Sequence, residues 1–181
     1  MENSDTDNPL HTGRILGLWL SEIPFVALHT TYALTDRELG RGGYGRVIVG
    51  HKLRLPRQVA IKRIHAEFEF SEVHQRRFVR EVQLLAPLQH PNIVQVEDWG
   101  RDDEGLYIVM ELIDGPNLCD LVQQSGPVPV EQLLDFASQI CRALQCAHQQ
   151  GIVHRDLKPA NLLVNSRGST KPKAPRRACP V

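Results

Sequence analysis

Short apolar segments rich in β-branched residues alternate with polar turns between residues 32 and 112, and they predict about five strands. The predicted strands are Tyr32–Leu39, Arg46–Leu53, Arg57–Ile64, Ile93–Val96 and Leu106–Leu112. In one interval, Ser71–Leu88, the spacing of the apolar residues is helical. There Phe78, Val82, Leu85 and Leu88 recur at spacings of four and three, which places them on one face of a helix predicted over Ser71–Leu88.

After Gly115-Pro116 the pattern favours helices. Leu118–Gln124 is a short helix, and Pro129–Gln150 is a long one that opens on a proline and ends before Gly151. The long helix carries a continuous apolar stripe made of Val130, Leu133, Leu134, Ala137, Ile140, Cys141, Leu144 and Ala147. A short strand, Leu162–Val164, follows. Strands with one inserted helix, and then helices, predict an α+β fold with two segregated lobes rather than repeated βαβ units.

Composition narrows the class of protein without naming a function. The 181 residues are 41% apolar and 23% charged, which is typical of one globular domain with a core. The net charge of zero is unevenly spread, because residues 162–181 contain five basic side chains and no acidic one. Such a tail could bind nucleic acid or anionic lipid, but its three prolines favour a solvated, disordered end over residues 166–181. No specific nucleic-acid partner is expected.

The N-terminal residues 1–30 are poorly patterned and are interpreted as an extension of unknown role. The apolar segment Ile15–Leu34 is interrupted by Ser21, Glu22, Pro24 and His29, so no run reaches about 18 apolar residues and no membrane span is predicted. The first ten residues also lack the basic start of a signal peptide. None of the four cysteines forms a C-x-x-C pair, which favours a reduced, cytoplasmic protein.

The glycine-rich run Gly40–Gly45 has two competing interpretations. In a dinucleotide-binding fold, such glycines lead into a helix whose N-terminus faces a pyrophosphate. Here they lead into Val47-Ile48-Val49, which has strand character. A hairpin laid over phosphates therefore fits better, with Gly40, Gly42 and Gly45 allowing close backbone approach.

Lys62 lies inside an apolar strand segment, where an ammonium needs an anionic partner. The alternative is an edge lysine that points to solvent. Glu81, on the predicted helix, could pair with Lys62 and hold its ammonium towards phosphates.

The run His154-Arg155-Asp156-Leu157-Lys158-Pro159-Ala160-Asn161 follows the long helix and Gly151. The Asp156 carboxylate can accept the proton of an attacking hydroxyl, and Lys158 can neutralise charge on a transferring phosphoryl group. Asn161 can offer its carbonyl oxygen to Mg²⁺. A chance loop would explain three of these residues, but not the full string in this position.

These motifs, in this order, resemble the eukaryotic-like serine/threonine protein kinases. The resemblance covers about Tyr32–Val164 and implies a partial kinase domain over residues 31–165. It implies a complete β-rich N-lobe (31–113) with one inserted helix and the first helices of an incomplete helical C-lobe (114–165). The implied reaction is transfer of the ATP γ-phosphate to a protein Ser or Thr hydroxyl.

The resemblance also implies roles for individual residues. Leu39, Val47, Ala60, Met110 and Leu163 would surround the adenine, the backbones of Glu111 and Ile113 would bind its edge, and Asn117 would lie near the ribose. Lys62 and Glu81 would form an ion pair, Asp156 would be the base with Lys158 beside it, and Asn161 would bind Mg²⁺. ATP and Mg²⁺ are thus the expected cofactors, and a protein with Ser or Thr is the expected substrate.

The chain departs from the family after the catalytic loop. The Asp-Phe-Gly is expected a little over a dozen residues after Asn161, where this chain reads Lys173-Ala174-Pro175-Arg176, and the sequence is no longer family-like from Ser169 onward. Either a frameshift or premature stop, or a genuine fragment, would give this pattern. We expect very low activity, or alternatively a non-catalytic ATP-binding module that docks on another kinase. A partner would then cover the exposed helix 129–150.

Overall fold

The computed structural model describes residues 23, 25–43, 45–65, 72–166, 168–173 and 179–180. Five strands form one antiparallel sheet: β1 (Tyr32–Gly42), β2 (Gly45–Lys52), β3 (Gln58–Ile64), β4 (Val96–Asp102) and β5 (Gly105–Glu111). Their spatial order is β1-β2-β3-β5-β4, so β3 and β5, the strands with the most apolar sequences, lie inside the sheet. The helix α1 (Glu72–Leu85) is inserted between β3 and β4, as predicted.

The apolar face of α1 builds the main core. Phe78, Val82, Leu85 and Leu88 are all buried, at 5%, 0%, 4% and 1% exposure, which confirms the predicted helical face. They pack against Val96 of β4 and against Leu106 and Ile108 of β5. The helix ends at Leu85, earlier than predicted, and Leu88 follows in a turn.

The prediction of a strand over Ile93–Val96 is wrong. The strand begins at Val96 and runs to Asp102, because the hairpin with β5 pairs Asp102 with Gly105 and needs only two residues for its turn. The charged residues Arg101 and Asp102, expected in the turn, therefore belong to the strand. Asp102 is held there by Arg63 of β3, whose guanidinium donates two hydrogen bonds of 2.8 Å to its carboxylate.

Part of the predicted N-terminal extension packs on the sheet. Phe25 forms a parallel bridge with Arg101, and the Val26 N–H donates to the Arg101 carbonyl at 2.9 Å. Ile23 and Leu28 are buried at 6% and 1% exposure. The remaining extension residues, 1–22 and 24, lie outside the described residues. Among the described residues, no helix is both long enough and apolar enough to cross a membrane.

Two helices follow the sheet, as predicted: α2 (Leu118–Ser125) and α3 (Val130–Gln149). Asn117 caps α2, because its side-chain oxygen accepts a hydrogen bond of 2.9 Å from the Asp120 N–H. The buried face of α3 is formed by Phe136, Gln139, Ala143 and Ala147.

The predicted stripe on α3 is for the most part outside this buried face. Val130, Leu133 and Leu134 are 72%, 49% and 65% exposed, and Ala137 and Cys141 are exposed as well. Ile140 and Leu144 are half-buried, and Ala147 is buried. The expectation of an uncovered apolar helix face therefore holds for most of the stripe in the described part of the chain.

The prediction of a disordered tail from residue 166 is wrong for the described residues 168–173 and 179–180. After β6 (Ile152–Val153), β7 (Leu162–Val164) pairs with β8 (Thr170–Pro172), and β6 pairs with β9 (Cys179–Pro180). Thr170 is completely buried. The turn between β7 and β8 is closed by Asn165, whose N–H donates to the Ser169 carbonyl at 2.9 Å and whose side-chain oxygen accepts from the Ser169 N–H at 2.8 Å.

The physical reason for the error is that polar contacts hold this hairpin. The Gln139 side-chain oxygen accepts hydrogen bonds of 2.8 Å from the Thr170 N–H and from the Asn92 amide. Asn92 also donates to the Thr170 carbonyl at 3.1 Å. A search for apolar periodicity cannot detect a strand that is anchored by side-chain amides from distant elements.

Candidate active site

A cavity of about 410 Å³ lies between the five-stranded sheet and the segments that follow it. All residues predicted to surround the adenine, the ribose and the phosphates line this cavity: Leu39, Gly40, Gly42, Gly45, Val47, Ala60, Lys62, Met110, Glu111, Ile113, Asn117 and Leu163. Glu81 and Asn161 line it too, whereas Asp156 and Lys158 do not. Residues far apart in the sequence thus converge on one space large enough for a small molecule.

The apolar walls come from both sides of the cavity. Ala60 on β3 pairs with Met110 on β5, and both are nearly buried. Leu163 on β7 pairs with Asn117 in an isolated bridge, which brings the second wall under the sheet. A flat aromatic ligand would lie between these walls.

The glycine-rich run forms the β1–β2 connection, as the hairpin interpretation predicts. Gly42 pairs with Gly45 across its ends. A Cβ atom on Gly45 would lie 2.0 Å from the Arg63 carbonyl oxygen, so glycine is required there for strand packing. A Cβ atom on Gly40 would meet nothing within 4 Å. The glycines therefore differ in role, and Gly40 lies beside open space in which a ligand fits.

The positive charge of Arg41 in the β1–β2 connection is balanced by the nearby Glu38 carboxylate. The Arg41 guanidinium donates hydrogen bonds of 3.1 and 2.7 Å to the Glu38 carboxylate. These hydrogen bonds lower the pKa of Glu38 below its usual value. Arg41 lines the cavity, so Glu38 fixes a cation at its entrance.

Lys62 and Glu81 form the predicted ion pair. The Lys62 Nζ atom lies 3.2 Å from the Glu81 carboxylate, and the two side chains are 21% and 14% exposed. The alternative of a lysine that points to solvent is therefore wrong. Because β3 and α1 supply the two partners, the pair fixes the ammonium between the sheet and the inserted helix.

The predicted catalytic loop brings three polar side chains together. The Asp156 carboxylate lies 3.1 Å from the Lys158 ammonium, and its other oxygen accepts a 2.9 Å hydrogen bond from the Asn161 amide. Asn161 also donates to the Asp156 carbonyl at 2.8 Å. The preceding Arg155 has a φ of 57°, a left-handed conformation uncommon for a residue other than glycine. Strain of this kind persists where the surrounding contacts hold it.

His154 fixes the predicted catalytic loop in place. It is 8% exposed, its Nε2 atom lies 2.9 Å from the Lys173 carbonyl oxygen, and its Nδ1 atom accepts from the Asp156 N–H at 3.3 Å. The loop is therefore tied to the segment after β8, which the sequence interpretation placed in a disordered tail.

The sequence model of the "Protein kinase domain" family matches residues 34–173, most of the chain. The chain belongs to the protein kinase family. The match extends past Ser169 to Lys173, so family-like sequence continues beyond the point at which the sequence interpretation ended it. These additional residues include β8, which pairs with β7.

Relatives of this kinase-family chain include bacterial serine/threonine kinases. It is 40% identical over 148 residues to serine/threonine-protein kinase PknB of Mycobacterium leprae, covering 80% of this chain and 24% of the relative. It is 39% identical over 135 residues to serine/threonine-protein kinase PrkC of Bacillus subtilis, covering 75% of this chain and 21% of the relative. The chain thus spans about a quarter or less of these relatives.

Among solved structures, the chain is similar to the crystal structure of Rad53 1-466 in complex with AMP-PNP. The TM-score is 0.72 at 29% identity, and the alignment covers 82% of this chain and 39% of that chain. The fold is accordingly protein-kinase-like, with a five-stranded N-lobe, its inserted helix and part of a helical C-lobe.

Two contacts of this kinase-family site were missed by sequence reasoning. The Glu111 carboxylate, at the cavity edge, accepts bonds of 2.7 and 2.8 Å from the Lys171 ammonium on β8. Lys173 lines the cavity itself, next to Asn161. The available signal was Asn165 and Gly168, which are typical turn residues and predict a hairpin that returns residues 170–173 alongside β7.

Proposed function

We propose that this chain binds ATP in the cavity between its two lobes, at a site that serves phosphoryl transfer to protein Ser or Thr hydroxyls. The observation that carries the proposal is the Lys62–Glu81 ion pair on the cavity wall. It holds an ammonium at a fixed place beside the glycine hairpin, where a nucleotide's phosphates need charge neutralisation.

The adenine is proposed to lie between Ala60 and Leu163, with the main chain of Glu111 and Ile113 at its edge. Lys171 holds the Glu111 carboxylate, and the Gln95 N–H donates to it at 2.8 Å. These bonds fix the position of the β5 end, which supports a preformed edge for the base.

The proposed chemistry uses the catalytic loop. As the substrate hydroxyl oxygen attacks the γ-phosphorus, a new O–P bond forms and the bond from the γ-phosphorus to the bridging oxygen of ADP breaks. The hydroxyl proton passes to the Asp156 carboxylate. Lys158, 3.1 Å from that carboxylate, is placed to neutralise charge on the moving phosphoryl group.

The residues present do not fit a protein-held Mg²⁺. Both described hydrogen bonds of the Asn161 side chain use its amide nitrogen, so they leave its oxygen for a metal, but the Asp156 carboxylate is already engaged by Lys158 and Asn161. Among the described residues, no group of three or more His, Cys, Asp or Glu side chains could hold a metal ion, and Lys173 lines the same cavity as Asn161. Mg²⁺ is usually held by one or two carboxylates together with phosphates. The role of Asn161 as a metal ligand thus stays a prediction.

Catalysis by the chain as it stands is proposed to be very low for this reason. The test is a phosphorylation assay with radiolabelled ATP and a mixture of Ser- and Thr-containing peptides, run beside an ATP titration. We expect saturable ATP binding with little transfer, and no transfer at all in Asp156→Asn. A folded chain that does not bind ATP would refute the proposed site, and transfer unaffected by Asp156→Asn would refute the proposed base.

The alternative function is a non-catalytic module that docks on another kinase. The exposure of Val130, Leu133 and Leu134 on α3 favours it, because a contiguous apolar face is typical of interaction sites. ATP binding without any transfer, together with a stable complex through this face, would support this role. A reduced, cytoplasmic location is proposed for either function, supported by the free thiols of Cys119, Cys141 and Cys146.

A further inference from the structure

The glycine hairpin Gly40–Gly45 is held differently on its two sides. Its β2 side continues the pairing with β3, because Gly45 pairs with Ile64. Its β1 side belongs to the edge strand of the sheet, and the register between β1 and β2 shifts twice before Gly40. Such irregularities interrupt the hydrogen bonds between strands. The β1 side of the hairpin therefore gains more from contacts outside the strand pairing.

His65 supplies a contact of this kind from the end of β3. It directly follows that strand, and its Nε2 atom lies 3.2 Å from the Gly42 carbonyl oxygen. A carbonyl oxygen can only accept a hydrogen bond, so Nε2 carries the hydrogen and donates it. The half-buried imidazole thus ties the β1 side of the hairpin to β3, the strand that also carries Lys62.

The contact acts on the wall of the cavity that is proposed to surround the phosphates. Gly40, Gly42, Gly43 and Gly45 line the cavity, and His65 lies outside its lining. Cβ atoms on Gly40 and Gly43 would meet nothing within 4 Å, so little packing restrains the backbone there. Glycine has the greatest conformational freedom of all residues, and ordering such a backbone around a ligand costs binding free energy. A hydrogen bond that fixes Gly42 in advance lowers that cost.

We propose that His65 is a positioning residue that fixes the glycine hairpin over the phosphates of ATP. This rests on the proposed function, since it takes the cavity to be the ATP site. His65 acts through the backbone of Gly42 and not through contact with the ligand. Its loss should therefore weaken the binding of a ligand that carries phosphates and leave the binding of adenosine unchanged.

The test is calorimetric titration of the 181-residue chain with ATP and, separately, with adenosine. His65→Leu removes the donor and keeps a side chain of similar size. We expect it to weaken ATP binding about fivefold, as the loss of one hydrogen bond does, and to change adenosine binding by less than about twofold. His65→Gln should retain the ATP affinity, because the glutamine amide nitrogen replaces Nε2 as the donor.

His51→Leu is the matched control for these titrations. His51 is an exposed histidine on β2 of the same sheet, and it lies outside the lining of the cavity. The same substitution there should leave the affinities for ATP and adenosine unchanged.

Hydrogen exchange of the ligand-free chain tests the contact directly. Amides of the glycine hairpin should exchange faster in His65→Leu than in the unchanged chain, because local opening of the hairpin costs less free energy. Exchange in β3 should stay the same in both, and His51→Leu should leave the hairpin unaffected. This measurement needs no ATP, so it separates an error about His65 from an error about the ATP site.

Each contrary result decides a different point. ATP binding that His65→Leu does not weaken would overturn the inference and leave the ATP site intact. Equal losses for ATP and adenosine would also overturn it, because His65 would then support the whole sheet. If the unchanged chain melts normally but binds neither ligand, the ATP site is refuted and the phosphate role of His65 with it. If His65→Leu fails to fold, His65→Asn replaces it, since its amide nitrogen lies closer to the backbone and cannot reach Gly42.

Discussion

Replacing Gln139 with alanine tests whether the residues after β7 are an integral part of the fold. The Gln139 side chain is 9% exposed on α3. Its oxygen accepts hydrogen bonds of 2.8 Å from the Thr170 N–H and from the Asn92 amide, and its nitrogen donates to Asp135 at 2.7 Å. One side chain therefore joins α3, the segment before β4 and the β7–β8 hairpin.

The expected loss of stability in Gln139→Ala depends on which hydrogen bonds Asn92 and Thr170 still make. Asn92 still donates to the Thr170 carbonyl and to Ser169. The Thr170 N–H is in a completely buried residue, and leaving a buried donor unsatisfied costs ~1–3 kcal/mol. The lost packing of the side chain adds about 1 kcal/mol, and alanine returns a few tenths through helix propensity. We expect Gln139→Ala to lower the free energy of unfolding by about 2–3 kcal/mol.

The assay is urea denaturation followed by circular dichroism, supported by thermal melting. For a chain of this size, the expected loss corresponds to a melting temperature lower by roughly 5–10 °C. Gln145→Ala, on the exposed side of the same helix, is the matched control and should change stability by less than about 0.5 kcal/mol. If the two variants unfold together, the hairpin is not held by Gln139 and the reasoning is wrong.

Three further predictions concern packing, pH and the ion pair. Gly115→Ala should destabilise the chain by more than about 3 kcal/mol in thermal melts, since its Cβ would lie 1.9 Å from a β7 carbonyl oxygen, while Gly40→Ala should melt normally. Burial, and then the charges of neighbouring cations, lower the pKa of His90 from 6.5. The stability that the neutral His90 side chain contributes is therefore present above pH 6.5 and is lost as pH falls through its lowered pKa. In His90→Gln, the midpoint of urea denaturation should change less between about pH 7.5 and pH 5.5 than in the unchanged chain. Glu81→Gln should weaken ATP binding about tenfold, and an unchanged titration would show that Lys62 needs no partner.

The sequence was a good guide where apolar periodicity or a compact motif carried the structure. The face of α1 with Phe78 and Val82 is buried as its spacing predicts, and the Lys62–Glu81 pair forms across 19 residues. In both cases local patterning and the global fold favour the same conformation, which is typical of natural sequences.

The sequence was a poor guide where polar contacts between distant residues decide the structure. Asp102 appeared to belong to a charged turn, but the pairing with Arg63 draws it into β4. Thr170 appeared to belong to a tail, but Gln139 draws it into β8. Neither contact has a signature in a window of neighbouring residues, because the partners are 39 and 31 residues apart in the sequence. The bond at Thr170 is made by its backbone N–H, so it does not depend on the side chains of β8.

Because side chains of other elements hold the backbone of β8, this chain can keep the kinase fold while its sequence departs from the kinase motifs. The β7–β8 hairpin depends on turn residues and on amides supplied by Asn92 and Gln139, so the sequence of its second strand is free to become basic without loss of the pairing. The same pairing then delivers whatever residue follows β8 to the side of Asn161. Here that residue is Lys173, so the pairing places a basic residue beside Asn161. The family match ends at Lys173, so it covers this hairpin and all the residues that line the cavity.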